Sequence, residues 1–136
     1  MTAIFIDTGA FVALKRTGER EHASALETLR ALTQRGVRLV ASNYIFAETY
    51  AALLARTGRW MAFQWGADMR AGTGIDFIQV DAEIEDAAWA ILECHSDKDW
   101  SYVDAVSFAL MEREGIKTAF AFDQHFTQRG LAVIPA

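Results

Sequence analysis

Ala3-Ile4-Phe5-Ile6-Asp7-Thr8 is the stretch that decides the fold. Four apolar residues in an unbroken run suit a strand buried on both faces, as in a parallel sheet. The acid closing that run stands where such sheets collect reactive groups, in the crevice beyond the carboxyl ends of the strands. Working outward, Thr8 to Leu14 reads as a short helix and Arg16 to Arg20 as a polar turn. Ala25, Leu26, Leu29 and Leu32 recur at helical spacing between Glu21 and Gln34, with Gly36 as the stop. Val37 to Val40 is the second strand. Ser42 or Asn43 caps a helix to about Arg56, Thr57-Gly58 breaks it, and another follows from Arg59 to about Ala71. Phe77 to Val80 is the third strand. Asp81 caps the next helix, whose buried stripe is Ile84, Ala88, Ile91 and Leu92, with Cys94 expected on a buried face. Ser101 opens a helix to about Glu114, Thr118 to Phe122 is the fourth strand, and Leu131 to Ile134 is a fifth at the sheet edge. With no repeat and no linker, residues 1–136 read as a single α/β domain with a mainly parallel sheet.

Composition excludes several function classes. Hydrophobic residues make up 52% and charged residues 23%, which is a globular, not a disordered, balance. The 13 Lys+Arg against 18 Asp+Glu leave a net charge of −5, the wrong sign for a protein that coats nucleic acid by neutralising phosphates. That sign is compatible with a protein that holds metal ions and reaches phosphates through them. The single cysteine excludes an intramolecular disulfide and a CxxC site. No signal peptide or membrane span is legible, so a cytoplasmic protein without membrane association is expected.

Four carboxylates stand out. Asp7 follows the first strand and Asp123 the fourth. Asp104 lies at capping-box spacing from Ser101, although Asp is shorter than the usual Glu of that motif. Glu48 sits among Ile45, Phe46, Thr49 and Ala52 with no Lys or Arg at helical spacing before Arg56, and carboxylates are seldom buried unpaired. If Asp7, Glu48, Asp104 and Asp123 converge, their repulsion has to be offset, and an all-oxygen set suits Mg²⁺ or Mn²⁺. Such a site activates water for attack at phosphorus.

The order Ile4-Phe5-Ile6-Asp7-Thr8, Phe46-Ala47-Glu48, Asp97-Lys98-Asp99-Trp100-Ser101-Tyr102-Val103-Asp104-Ala105 and Phe122-Asp123-Gln124-His125-Phe126 resembles the PIN-domain family, nearest its VapC-type toxins. The resemblance runs over essentially the whole chain. It implies a three-layer α/β domain with a central sheet flanked by helices, and metal-dependent endoribonuclease activity leaving 3′-hydroxyl and 5′-phosphate ends. It assigns Asp7, Glu48, Asp104 and Asp123 to the acidic metal site, with Thr8, Ser101, Asp97 and Asp99 as accessory residues. A VapB-like antitoxin and a homodimer are the implied partners.

Two competing readings share the sheet. A Mg²⁺-dependent phosphatase or phosphotransferase also places Asp after strand one, but the dehalogenase type needs a second Asp where Gly9 stands. A non-catalytic PIN-like binding module would take up no metal. The three histidines, His22, His95 and His125, show no ligand spacing, and His125 reads first as a solvated loop residue. Trp60, Phe63 and Trp65, with Met61 and Met69, read mainly as core packing and secondarily as an interface. Lys15, Arg16, Arg20, Arg56, Arg59 and Lys98 are candidates for steering RNA.

Overall fold

The computed structural model describes residues 2–136. Five strands form one sheet: β1 (Ala3–Ile6), β2 (Arg38–Ser42), β3 (Ile75–Ile78), β4 (Thr118–Phe120) and β5 (Ala132–Ile134). Their order is β3-β2-β1-β4-β5 and every neighbouring pair is parallel. Parallel pairing obliges a crossover between successive strands, and among the described residues seven helices supply it. These are α1 (Thr8–Lys15), α2 (His22–Gln34), α3 (Asn43–Thr57), α4 (Arg59–Ala71), α5 (Ala82–Cys94), α6 (Tyr102–Glu114) and α7 (His125–Gln128). The chain steps from β1 to β2 to β3, then returns past β1 to β4 and β5. Right-handed crossovers therefore place α1 to α4 on one face and α5 to α7 on the other, giving three layers. The reversal of direction falls between β1 and β4.

The core follows from the sequence of its elements. Phe5 and Ile6 of β1, Val40 of β2 and Phe120 of β4 are fully buried. Helix α6 is buried continuously from Asp104 to Met111, as expected for a helix enclosed on all sides, with the sheet beneath it and α5 packed against it. Its left-handed C-cap at Gly115, φ 69°, is a conformation only glycine adopts without strain. Helix α7 is a single turn whose one buried residue is Phe126.

Several strand boundaries differ from the sequence reading, β5 for one starting at Ala132 instead of Leu131. Strand β3 runs from Ile75 to Ile78, not Phe77 to Val80, because β2 pairs Leu39 with Ile75 and Ser42 with Ile78. Val80 has already left the sheet, and its N–H donates to Asn43 Oδ1 at 2.8 Å. Strand β2 starts at Arg38, since the Val37 N–H still bonds to Leu32 O at the end of α2. Strand β4 ends at Phe120, two residues short of Phe122. Cys94 is exposed, a correction to its expected burial: it ends α5, off the Ile84-Ala88-Ile91 stripe.

The aromatic helix divides. Trp65 is buried, with Phe46 at 5.1 Å and Phe11 at 5.5 Å between ring centroids. Trp60 and Phe63 are exposed, at 74% and 54%. Core packing therefore holds for Trp65, whereas Trp60 and Phe63 lie on the surface. Among the described residues, no helix is long and apolar enough to cross a membrane.

Candidate metal centre at the carboxyl edge of the sheet

Strand β1 delivers Asp7 to the point where the strand order reverses. Asp7 occupies the N-cap position of α1 with extended backbone, yet its side chain makes no capping bond. An acid in that position with an unused carboxylate is free for another role. It is also 5% exposed. Burial pushes its carboxyl well above the usual carboxylate range, and the charge of Asp123 adds to this, followed by Asp104 and Glu48. The N–H of Thr8 pulls the other way and does not compensate. The three other acids are thus near enough for their charges to bear on Asp7.

Each of the other three is held by its own local structure. Glu48 lies half-buried on α3 and accepts a hydrogen bond from Thr8 Oγ1 at 2.5 Å, which fixes one carboxylate oxygen. Asp104 is the third residue of α6 and 8% exposed. Its N–H donates to Ser101 Oγ at 3.0 Å, and its Oδ2 accepts from the Ser101 N–H at 3.0 Å. The capping box legible in the spacing therefore closes on both arms, although Asp is shorter than the usual Glu. Ser101→Ala is expected to destabilise the fold by about 1 kcal/mol, read as a lower urea midpoint with unchanged slope. Asp123 is exposed and accepts from the His125 N–H at 2.9 Å.

His125 is the residue the sequence reading underweighted. It is half-buried, with Nδ1 2.8 Å from Asp104 Oδ2 and 3.9 Å from Asp123 Oδ1. The shorter contact lies off the hydrogen-bond axis, so Nδ1 remains without an aligned partner. One donor atom from each of Asp104, Asp123 and His125 lies within 4.8 Å of the others. The signal in the sequence was its place between Asp123 and the buried anchor Phe126. The other two histidines are occupied elsewhere: the Nδ1 of His22 is 2.7 Å from Ala13 O, and that of His95 is 2.7 Å from Ile91 O.

The accessory assignments separate. Thr8 and Ser101 each bond directly to a pocket acid. Asp97 is exposed and paired with Lys98 at 2.9 Å, which lowers its carboxyl from the usual range. Asp99 is exposed too, and neither Asp97 nor Asp99 is among the groups that perturb Asp7. The basic residues considered for steering are largely engaged. Arg16 bonds Glu19 at 2.7 Å, Arg20 contacts Glu21 at 3.3 Å, Arg56 contacts Glu19 at 4.0 Å, and Arg59 lies over the Phe63 ring.

Taken together, the donor set suits a divalent cation. The acids crowd one pocket with no Lys or Arg bonded to any of the four among the described residues. A doubly charged ion would relieve that repulsion, and an oxygen-rich set with one imidazole nitrogen can bind it.

A model of the PIN domain matches residues 4–130. The 23S rRNA-specific endonuclease VapC20 of Mycobacterium tuberculosis is 34% identical over 131 residues, which are 96% of this chain and 97% of that protein. Its crystal structure, described as that of a toxin cleaving the sarcin–ricin loop, superposes with a TM-score of 0.86 over the same shares. FitAcB from Neisseria gonorrhoeae, 17% identical, shares the fold with a TM-score of 0.67 over 96% of this chain and 95% of its own. Fold and near end-to-end similarity agree, and the chain belongs to the PIN-domain family, on its branch of VapC-type toxin ribonucleases.

Proposed function

We propose that this protein is a metal-dependent endoribonuclease whose Asp7, Glu48, Asp104 and Asp123 hold Mg²⁺ or Mn²⁺. The observation that carries the reading is the buried Asp7 carboxyl, raised by burial and by three neighbouring acids in one crevice. When bound, the cation supplies charge for the phosphate oxygens and acidifies an attacking water. The chain's own contribution is positional. Thr8 fixes Glu48 through its hydroxyl, and the capping box fixes Asp104 at the start of a helix buried over two turns. Buried side chains with few rotamers hold a site geometry at little entropic cost during reaction. His125, in contact with Asp104, can offer its ring to the cation or to a substrate phosphate.

Similarity to VapC20 supports ribosomal RNA, with its sarcin–ricin loop, as the substrate class, and a VapB-like antitoxin as the protein partner. Such a partner would dock on the apolar face of the α3–α4 hairpin. There, exposed Leu54, Trp60 and Phe63 accompany a cavity of about 560 Å³ lined by Phe46, Tyr50, Gly66 and Arg70. A homodimer is part of the same proposal.

The test is cleavage of 23S rRNA in ribosomes. Cleavage is expected with Mn²⁺ or Mg²⁺, and none with excess EDTA, restored when the metal is returned. Products are expected to carry 5′-phosphate ends. Undiminished cleavage in EDTA would refute the metal-dependent reading.

A further inference from the structure

Beside Glu48 lies a second open cavity, of about 420 Å³, lined by Asn43, Tyr44, Ala47, Glu48 and Val103. Its aromatic member is held unusually firmly for a partly exposed side chain. Tyr44 Oη donates to Glu85 Oε1 at 2.6 Å, and Tyr102 Oη donates to the same oxygen at 2.9 Å. The two rings stand 6.1 Å apart between centroids, tilted by 49°. Burial, together with the Glu85 bond, pushes the Tyr102 phenol up to about 12, so the brace keeps its proton throughout the physiological range. Asn43 is fixed as well, because its Oδ1 accepts from the Val80 N–H. A locked aromatic face and a locked amide, one helical turn from a metal-site acid, are features of a recognition pocket.

We propose that Tyr44, braced by Tyr102 and Glu85, is the stacking wall of a subsite that takes one unpaired nucleobase of the RNA next to the scissile phosphate. The proposal rests on the nuclease reading and adds where the substrate's binding energy comes from. With a net charge of −5 and most of its arginines paired to acids, the protein lacks the counterion-release drive that usually holds RNA. Stacking on an aromatic ring carries no such requirement and tolerates any base. A ring already held in place loses little entropy when the base arrives. The exposed Trp60 and Phe63 are poorer candidates, since the α3–α4 turn lies about 15 Å along α3 from Glu48 at helical rise.

The test uses Asp7→Asn protein with Mg²⁺, so that RNA is bound without being cut. Fluorescence anisotropy is measured with a labelled unstructured RNA of roughly ten nucleotides, a length in the range of single-strand sites. Adding Tyr44→Ala is expected to weaken binding about tenfold, and Tyr44→Leu, which keeps apolar volume without a π-face, by a similar factor. Tyr44→Phe is expected to stay within about threefold of the parent, and the Ala-to-parent ratio to hold between about 50 and 200 mM salt. Unchanged affinity in folded Tyr44→Ala or Tyr44→Leu protein would overturn the subsite, as would equal losses in Phe and Ala. Cleavage of ribosomal RNA by the parent chain is scored separately with Mn²⁺. Cleavage with no effect of Tyr44 refutes the subsite alone; a Tyr44 effect without cleavage refutes the nuclease reading alone.

Discussion

Asp7→Asn is expected to abolish RNA cleavage and, in the absence of metal, to raise the thermal midpoint at neutral pH. The loss of activity follows from removing the most buried acid of the pocket. If the cation supplies several kcal/mol of transition-state stabilisation, cleavage should fall on the order of 10³-fold. The gain in stability follows from the raised carboxyl. Below the unfolded value of 3.8, Asp7 is protonated in both states and contributes nothing to the difference. As pH rises past that value the unfolded chain ionises first, so stability drains away until the folded carboxyl also ionises. Above that point the deficit is constant. Asparagine removes it, so the midpoint difference should grow as pH rises above about 3.8 and vanish below it. Mn²⁺ should reverse the ranking by stabilising only the parent. Scanning fluorimetry in EDTA and in Mn²⁺ across this pH range reads all three effects. A variant less stable than the parent at pH 7 in EDTA would contradict the electrostatic account.

Phe126→Ala is expected to have the largest effect on stability. Phe126 is fully buried, with Phe108 edge-on at 5.3 Å and Phe5 tilted at 6.2 Å. Truncating such a ring costs about 3–5 kcal/mol. For a domain of this size the thermal midpoint should drop by roughly 10–15 °C. The damage should reach the active crevice as well, because α7 has no other buried residue to keep His125 against Asp104. Titration of Mn²⁺ by calorimetry is expected to show weaker uptake in Phe126→Ala than in Phe126→Leu, which refills most of the cavity. Equal uptake would mean that the turn is held by its backbone bonds to Gln124 and His125, not by its ring.

Much of this architecture was legible because local and global signals coincide. A short apolar run closed by an acid, as at Ile4-Phe5-Ile6-Asp7, leaves little freedom in how the strand is placed or where the acid emerges. The approach of Glu48 to the pocket was signalled by the absence of any cation within helical reach. The errors arise where a partner element decides. The start of β3 is set by register with β2, and Ile75-Asp76 lacks the apolar continuity that marks a strand before its neighbour is known. Asp97 and Asp99 have the same composition as the pocket acids, but they precede the α6 cap and face solvent. His125 was read as solvated because nothing local announces Asp104, twenty-one positions upstream, as its neighbour. Cys94 was misplaced by about a quarter-turn of phase at a helix end, where periodicity has the fewest residues to constrain it.

The reversal of strand order between β1 and β4 has a consequence for the history of each molecule. Asp7 is made well before Asp123, and β1 has no neighbour on its β4 side until Thr118 to Phe120 exist. A chain interrupted during synthesis before that strand holds three acids without the closing wall of the crevice. Such fragments lack the assembled crevice. The appearance of β4 thus closes the crevice around Asp7, a form of timing written into topology.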